Sequence, residues 1–113
     1  MTPSTKYYNK LVRDRIPAII CAGGKTCDID ILDDEAFKKA LDAKLDEELA
    51  EYRENPSVEE LADLVTVLFY LAKVNGFTWD EVQNRVTTKA QERGGFDCKV
   101  FLKATREKVY KNG

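Results

Sequence analysis

A chain of 113 residues has room for one hydrophobic core, because separate cores usually need about 100 to 200 residues each, so residues 1–113 are read as a single domain. With 43% hydrophobic and 34% charged residues, a net charge of −2 and no histidine, the composition excludes a disordered chain and every chemistry built on imidazole: the Ser-His-Asp triad, the Cys-His dyad and His-ligated zinc. The longest apolar stretch, residues 64–72, is broken by Thr66 and falls far short of the roughly 20 residues that span a bilayer, so no membrane partner is expected. The opening MTPSTKYYNK has no signal-peptide core. Cys21, Cys27 and Cys98 are odd in number and contain no CxxC pair, which points to free thiols in a reducing cytoplasm.

Charge is segregated along the chain. Residues 1–27 carry five Lys/Arg and one acid, residues 28–63 carry four against fourteen, and residues 64–113 carry nine against five. An acidic block between basic arms suits a site holding a hard cation together with an anionic ligand; the plainer alternative is a solvated acidic helix face. Nucleic acid is not the expected partner, since the acidic block repels a phosphate backbone and the basic arms lack interleaved aromatics.

In chain order, a helix is expected from about Leu11 to Cys21, with Pro17 either kinking it or sitting in its first turn. The stretch CDIDIL alternates apolar and polar residues through Cys27, Ile29 and Ile31. Asp33 or Asp34 then caps a helix opening near Glu35, whose apolar positions Phe37, Leu41, Leu45, Leu49 and Tyr52 keep helical spacing until Asn55-Pro56. Ser57-Val58-Glu59-Glu60 reads as a capping box for the next helix, which stops at Asn75-Gly76. Thr78-Trp79-Asp80-Glu81 opens a further one, ending at Gly94-Gly95. Beyond it, DCKVFL alternates through Cys98, Val100 and Leu102, so the two alternating stretches are candidates for a small β-ribbon. The expected fold is mainly α, an antiparallel bundle of about four helices.

Stepping about 100° per residue places Glu48 within the stripe of Leu41, Leu45 and Tyr52, with Glu51 at its edge and Glu47 well off it. A carboxylate aimed at a core needs a cation or a proton. On the following helix Leu61, Val65, Leu68 and Ala72 form one apolar face, while Val67 and Tyr70 make the other side apolar too. Asp63 lies on that second side and Glu60 at its edge. Glu48-x-x-Glu51 and Glu60-x-x-Asp63 therefore sit on successive helices joined by a short connection. Four facing carboxylates repel unless divalent cations lie between them, and an all-oxygen set favours Mg²⁺ or Mn²⁺. Each acid also has a plainer reading: Glu60 as the capping acid, Glu51 as a surface residue, and Glu47 and Glu59 as ordinary polar positions. The matching phosphate-binding cations are Lys10, Arg13 and Arg15 near the start and Lys89 and Arg93 before the double glycine, though each has an equally good reading as a surface residue.

The strings YNKLVRDRIP (8–17), ILDDEAF (31–37), KLDEELAEY (44–52), EELADLV (59–65) and ERGGF (92–96) resemble the MazG-like all-α nucleoside triphosphate pyrophosphohydrolase superfamily. Within it they are most similar to the short phosphoribosyl-ATP pyrophosphohydrolase-like group that opens with a YNKLVRDKIP-type motif. The resemblance runs in order over nearly the whole chain. It implies Mg²⁺-dependent cleavage of a nucleotide between the α- and β-phosphates, releasing pyrophosphate, on a helical homodimer or homotetramer. It also places the metal ligands at Glu48, Glu51, Glu60 and Asp63, with Glu48 or Glu51 able to accept a proton from water. Two features depart from that pattern: Thr66 stands where many relatives carry a further acid, and only Tyr52 to Glu59 separate the acidic pairs. Removal of non-standard or surplus nucleotides, hydrolysis of phosphoribosyl-ATP, and a non-catalytic helical oligomerisation module are the three functions this reading leaves open.

Overall fold

The computed structural model describes residues 4–109. Four helices follow one another: α1 (Ile16–Ala22), α2 (Asp34–Glu54), α3 (Val58–Val74) and α4 (Trp79–Arg93), and there is no strand among the described residues. The mainly helical expectation holds; the β-ribbon does not. Residues 27–32 form no regular structure, and the second stretch is broken by a turn in which the Lys99 amide bonds to the Phe96 carbonyl at 3.1 Å and Lys99 takes a φ of 57°; Ile29, Ile31, Val100 and Leu102 are all exposed. Alternation identifies a strand only when one face has a layer to bury against, and here neither stretch has one.

α2 starts where Asp33 accepts a hydrogen bond from the Ala36 amide at 2.8 Å, and Asp34 and Glu35 complement its N-terminal dipole. Asn55-Pro56 ends it, and Ser57 caps α3 by accepting from the Glu60 amide at 3.2 Å. Only half of the expected capping box forms at this point. The Glu60 carboxylate does not return to Ser57; its Oε2 is buried. α3 stops at Gly76, whose φ of 86° suits a residue without a Cβ. The Phe77 amide there bonds back to the Ala72 carbonyl at 2.9 Å. α4 has the full reciprocal box between Thr78 and Glu81. α1 starts five residues later than the periodicity suggested, because Pro17 belongs to its first turn and residues 11–15 lead into it.

The short connection at residues 55–57 folds α2 back against α3, and this antiparallel pair forms the centre of the molecule. Leu41 and Val67 are its buried apolar residues, at 2% and 6% exposure. α4 joins the far end of α3, where Phe69 meets Trp79 with ring centroids 5.7 Å apart. α1 packs on none of the other helices. The α3 face turned toward α2 carries Glu60, Asp63 and Val67. The Leu61, Val65 and Leu68 face points away and stays about half exposed. No single helix is long and apolar enough to cross a membrane.

Candidate metal centre between α2 and α3

The α2/α3 seam has a charged side chain in its core. Glu48 is 5% exposed, as its place in the apolar stripe required, and it lies beside the opposing acids of α3. Glu48, Glu60 and Asp63 each present a carboxylate oxygen within 4.8 Å of the others, and Glu47, Glu48 and Glu51 do the same along α2. Glu48 belongs to both groups. The four expected ligands are thus gathered at one place, with Glu51, Glu60 and Asp63 half-buried around Glu48.

Two oxygens in this cluster, Glu48 Oε2 and Glu60 Oε2, are buried without any hydrogen-bond partner. A buried carboxylate oxygen left unpaired carries a full desolvation penalty, so an arrangement burying two of them in one cluster is unfavourable unless a cation or proton joins them. Glu48 responds electrostatically. Burial pushes its carboxyl above the usual range; Lys44 pulls it down, and the charges of Glu51 and Asp63 push it up again.

Three cations, Lys10, Arg13 and Lys44, reach the acids. Lys44, one turn before Glu48, reaches Glu48 Oε1 and Glu47 Oε2, both at 3.2 Å. Lys10 donates to Glu47 Oε1 at 2.8 Å, and Arg13 Nη2 donates to Asp63 Oδ1 at 2.8 Å and to Thr66 Oγ1 at 3.3 Å. The Thr66 hydroxyl itself donates to the Ala62 carbonyl at 2.8 Å. Burial alone raises the Glu47 carboxyl, yet the hydrogen bonds from Lys10 and Lys44 outweigh it and hold the group below the usual carboxylate range. The bond to Glu47 raises the Lys10 ammonium in turn.

Of the five expected phosphate-binding cations, Lys10 and Arg13 stand at the cluster. Arg15 is exposed at the N-cap of α1. Lys89 and Arg93 are on α4, where Lys89 lines a separate hollow of about 460 Å³ with Phe77, Glu81, Val82, Arg85 and Val86. Neither Lys89 nor Arg93 forms an ion pair among the described residues. α4 meets only α3, so proximity in sequence to the double glycine does not bring these two to the acids.

Two participants escaped the sequence reading. Glu47 is not an ordinary polar position, because Lys10 of the N-terminal segment and Lys44 of α2 both bond to it within the cluster; a helical wheel of α2 alone holds only the second of these partners. Lys44 was not singled out, although its spacing of three and four residues from Glu47 and Glu48 is the standard reach of a helical ion pair.

No family model matches the chain, and no solved structure does. An uncharacterized protein of Mycolicibacterium smegmatis is 59% identical to it over 44 residues, a segment that is 39% of this chain and 45% of that protein. The match to this relative thus spans less than half of either chain.

Proposed function

We propose that the chain is a Mg²⁺-dependent nucleoside triphosphate pyrophosphohydrolase, yielding a nucleoside monophosphate and pyrophosphate, and that it clears non-standard or surplus nucleotides in the cytoplasm. The observation that carries this reading is the pair of buried, unpartnered oxygens on Glu48 and Glu60 beside Asp63. The resemblance of the opening and ERGGF strings to MazG-like enzymes supports the same chemistry.

Glu48, Glu51, Glu60 and Asp63 would hold the metal, an all-oxygen set suited to Mg²⁺ or Mn²⁺. Bound there, the ion supplies charge neutralisation at the polyphosphate and an ordered water. The protein's own groups do the rest. Lys10 and Arg13, already at the acids, exchange a carboxylate for a phosphate oxygen when substrate enters. Of Glu48 and Glu51, the two placed to accept a proton from the attacking water, Glu51 is half-buried at the edge of the cluster with no ion pair among the described residues, whereas Glu48 is paired with Lys44. α2 and α3 fix these groups on regular helices, which preserves their spacing through the reaction.

A specific contact favours a second reading. Arg13 spans Asp63 and Thr66, so a cation already sits where a further acid would extend the ligand set, as in a helical module that keeps the fold without turnover. Incubation with ordinary and modified nucleoside triphosphates and phosphoribosyl-ATP, with Mg²⁺ or Mn²⁺, separates the readings by product. Monophosphate plus pyrophosphate is expected, and the preferred substrate distinguishes general clearance from a biosynthetic role. Orthophosphate plus diphosphate means cleavage of the wrong bond, and no turnover of any substrate favours the non-catalytic module.

A further inference from the structure

Cys21 and Cys27 lie on either side of the turn that leaves α1. Residues four apart share one face of a helix, so Cys21 lies on the same face of α1 as Pro17. The chain then reverses: the Gly24 amide bonds to the Cys21 carbonyl at 3.0 Å, Gly24 takes a φ of 92°, and the Lys25 amide returns to the Ile20 carbonyl at 3.4 Å. That reversal lays Cys27 against the same patch of α1, with its Sγ 3.8 Å from the Pro17 carbonyl oxygen. Cys21 and Cys27 thus lie at the same face of one helical turn. Burial raises the Cys27 thiol, and the neighbouring Cys21 thiol raises it further. Cys21 is exposed, so an oxidant reaches it directly, while Cys27 is half-buried.

We infer that Cys21 and Cys27 form a reversible intramolecular disulfide, made by exchange with a small-molecule disulfide such as oxidised glutathione. The Cys21 thiolate attacks one sulfur of the oxidant and expels a thiolate, leaving a mixed disulfide on Cys21. The Cys27 thiolate then attacks the Cys21 sulfur and expels the second thiolate. Two protein thiols are oxidised, one small disulfide is reduced to two thiols, and the two protons released by the protein end on those products. The bond closes the turn between α1 and the segment entering α2, which matters because α1 has no helix packed against it. This modification is independent of the metal-centre reading.

The test uses the full chain carrying Cys98→Ser, equilibrated with reduced and oxidised glutathione under native conditions and in urea, quenched with acid and analysed by intact mass and non-reducing peptide mapping. Native protein is expected to lose both titratable thiols to one Cys21–Cys27 link. Its equilibrium constant should be about tenfold or more above that of the urea-unfolded chain, within the usual range for two coupled equilibria. By the same linkage, reducing the bond lowers the melting temperature. Equal constants in the two states, separate glutathione adducts on Cys21 and Cys27, or links between chains would each overturn the inference. Cys21→Ser serves as the control, in which Cys27 carries at most a single adduct.

Discussion

Replacing Glu48 by Gln tests the metal centre most directly, because it removes one charge while preserving shape. In the metal-free protein two effects oppose each other. Glu48 loses the attraction of Lys44 at 3.2 Å, and it also loses the repulsion of acids whose oxygens lie within 4.8 Å. At an effective dielectric of about 20, each close pair is worth roughly 3 to 5 kcal/mol, so one attraction is set against several repulsions and the repulsions prevail. Lys44 keeps its contact with Glu47, and no cation is stranded. Metal-free stability should therefore stay equal or rise. Metal shifts the balance for the unsubstituted chain alone: Mg²⁺ at about one hundred times its dissociation constant adds about 2.7 kcal/mol, or roughly 10 to 20 °C in melting temperature for a domain of this size. Glu48→Gln and Asp63→Asn should lose most of that increment together with turnover. Asp46→Asn, exposed on the same helix, is the control and should keep both. Thermal melts of the four proteins with and without Mg²⁺ measure all of this. A loss of several kcal/mol at Glu48→Gln that is the same with and without metal would refute the reasoning, since it would make Glu48 simply the partner of Lys44.

Lys44→Met should do the reverse of Glu48→Gln: metal-free stability falls by about 3 kcal/mol as Glu48 loses its nearest cation, and the Mg²⁺-induced rise in melting temperature grows, which the same melts would detect. Stability of the metal-free protein should also depend on pH through Glu48. Its folded carboxyl is raised, so the folded chain holds a proton that the unfolded chain has released; this contribution is complete below the ordinary glutamate range and is lost as pH rises through the folded value. Urea titrations from about pH 4 to about pH 7 should show that decline, and Glu48→Gln should remove it. Glu47 acts with the opposite sign: its depressed carboxyl contributes above the ordinary range and loses that contribution as pH falls through the folded value. Association should use the outward face of α3, where Leu61, Val65 and Leu68 are 49%, 51% and 45% exposed. Sedimentation at micromolar concentration should give a dimer or tetramer that Val65→Glu with Leu68→Glu dissociates, and a monomer for the unsubstituted chain would reject that surface.

The central hairpin was legible because each of its boundaries is local chemistry. Asp33, Ser57 and Thr78 cap with their own side chains, and Asn55-Pro56 and Gly76 stop helices wherever they occur. Glu48 was legible for a related reason, since an acid inside an apolar stripe conflicts with its own helix and that conflict is visible one helix at a time. What depends on a second segment was not. The β-ribbon failed because alternation carries no information about a covering layer. Of the two cations on Glu47, Lys44 is within reach of a single helix, but Lys10 lies 37 residues away and is not. The orientation of α3 was ambiguous because it is apolar on two sides, and the side bearing Glu60 and Asp63, not the more uniformly apolar one, faces α2.

That orientation has an electrostatic consequence for how the site would work. Five carboxylates, Glu47, Glu48, Glu51, Glu60 and Asp63, are gathered with three cations, Lys10, Arg13 and Lys44, which leaves two negative charges when all are ionised, the charge one divalent cation neutralises. The three cations are not equivalent. Lys44 is built into α2 and has a side chain only 17% exposed, whereas Lys10 and Arg13 arrive on the N-terminal segment with side chains 41% and 57% exposed. Exposed ion pairs are weak, about 1 kcal/mol or less, so releasing Lys10 from Glu47 and Arg13 from Asp63 costs little. A polyphosphate arriving with its metal offers those two side chains stronger partners than the ones they leave, and each exchange frees a carboxylate at the same step. The N-terminal segment thus stabilises the acids before substrate binds and is available to hold phosphate afterwards. Arg13→Gln should accordingly weaken substrate binding more than metal binding, a difference that KM and Mg²⁺ titrations of one variant would reveal; equal losses in both would place Arg13 in the metal site's structure alone.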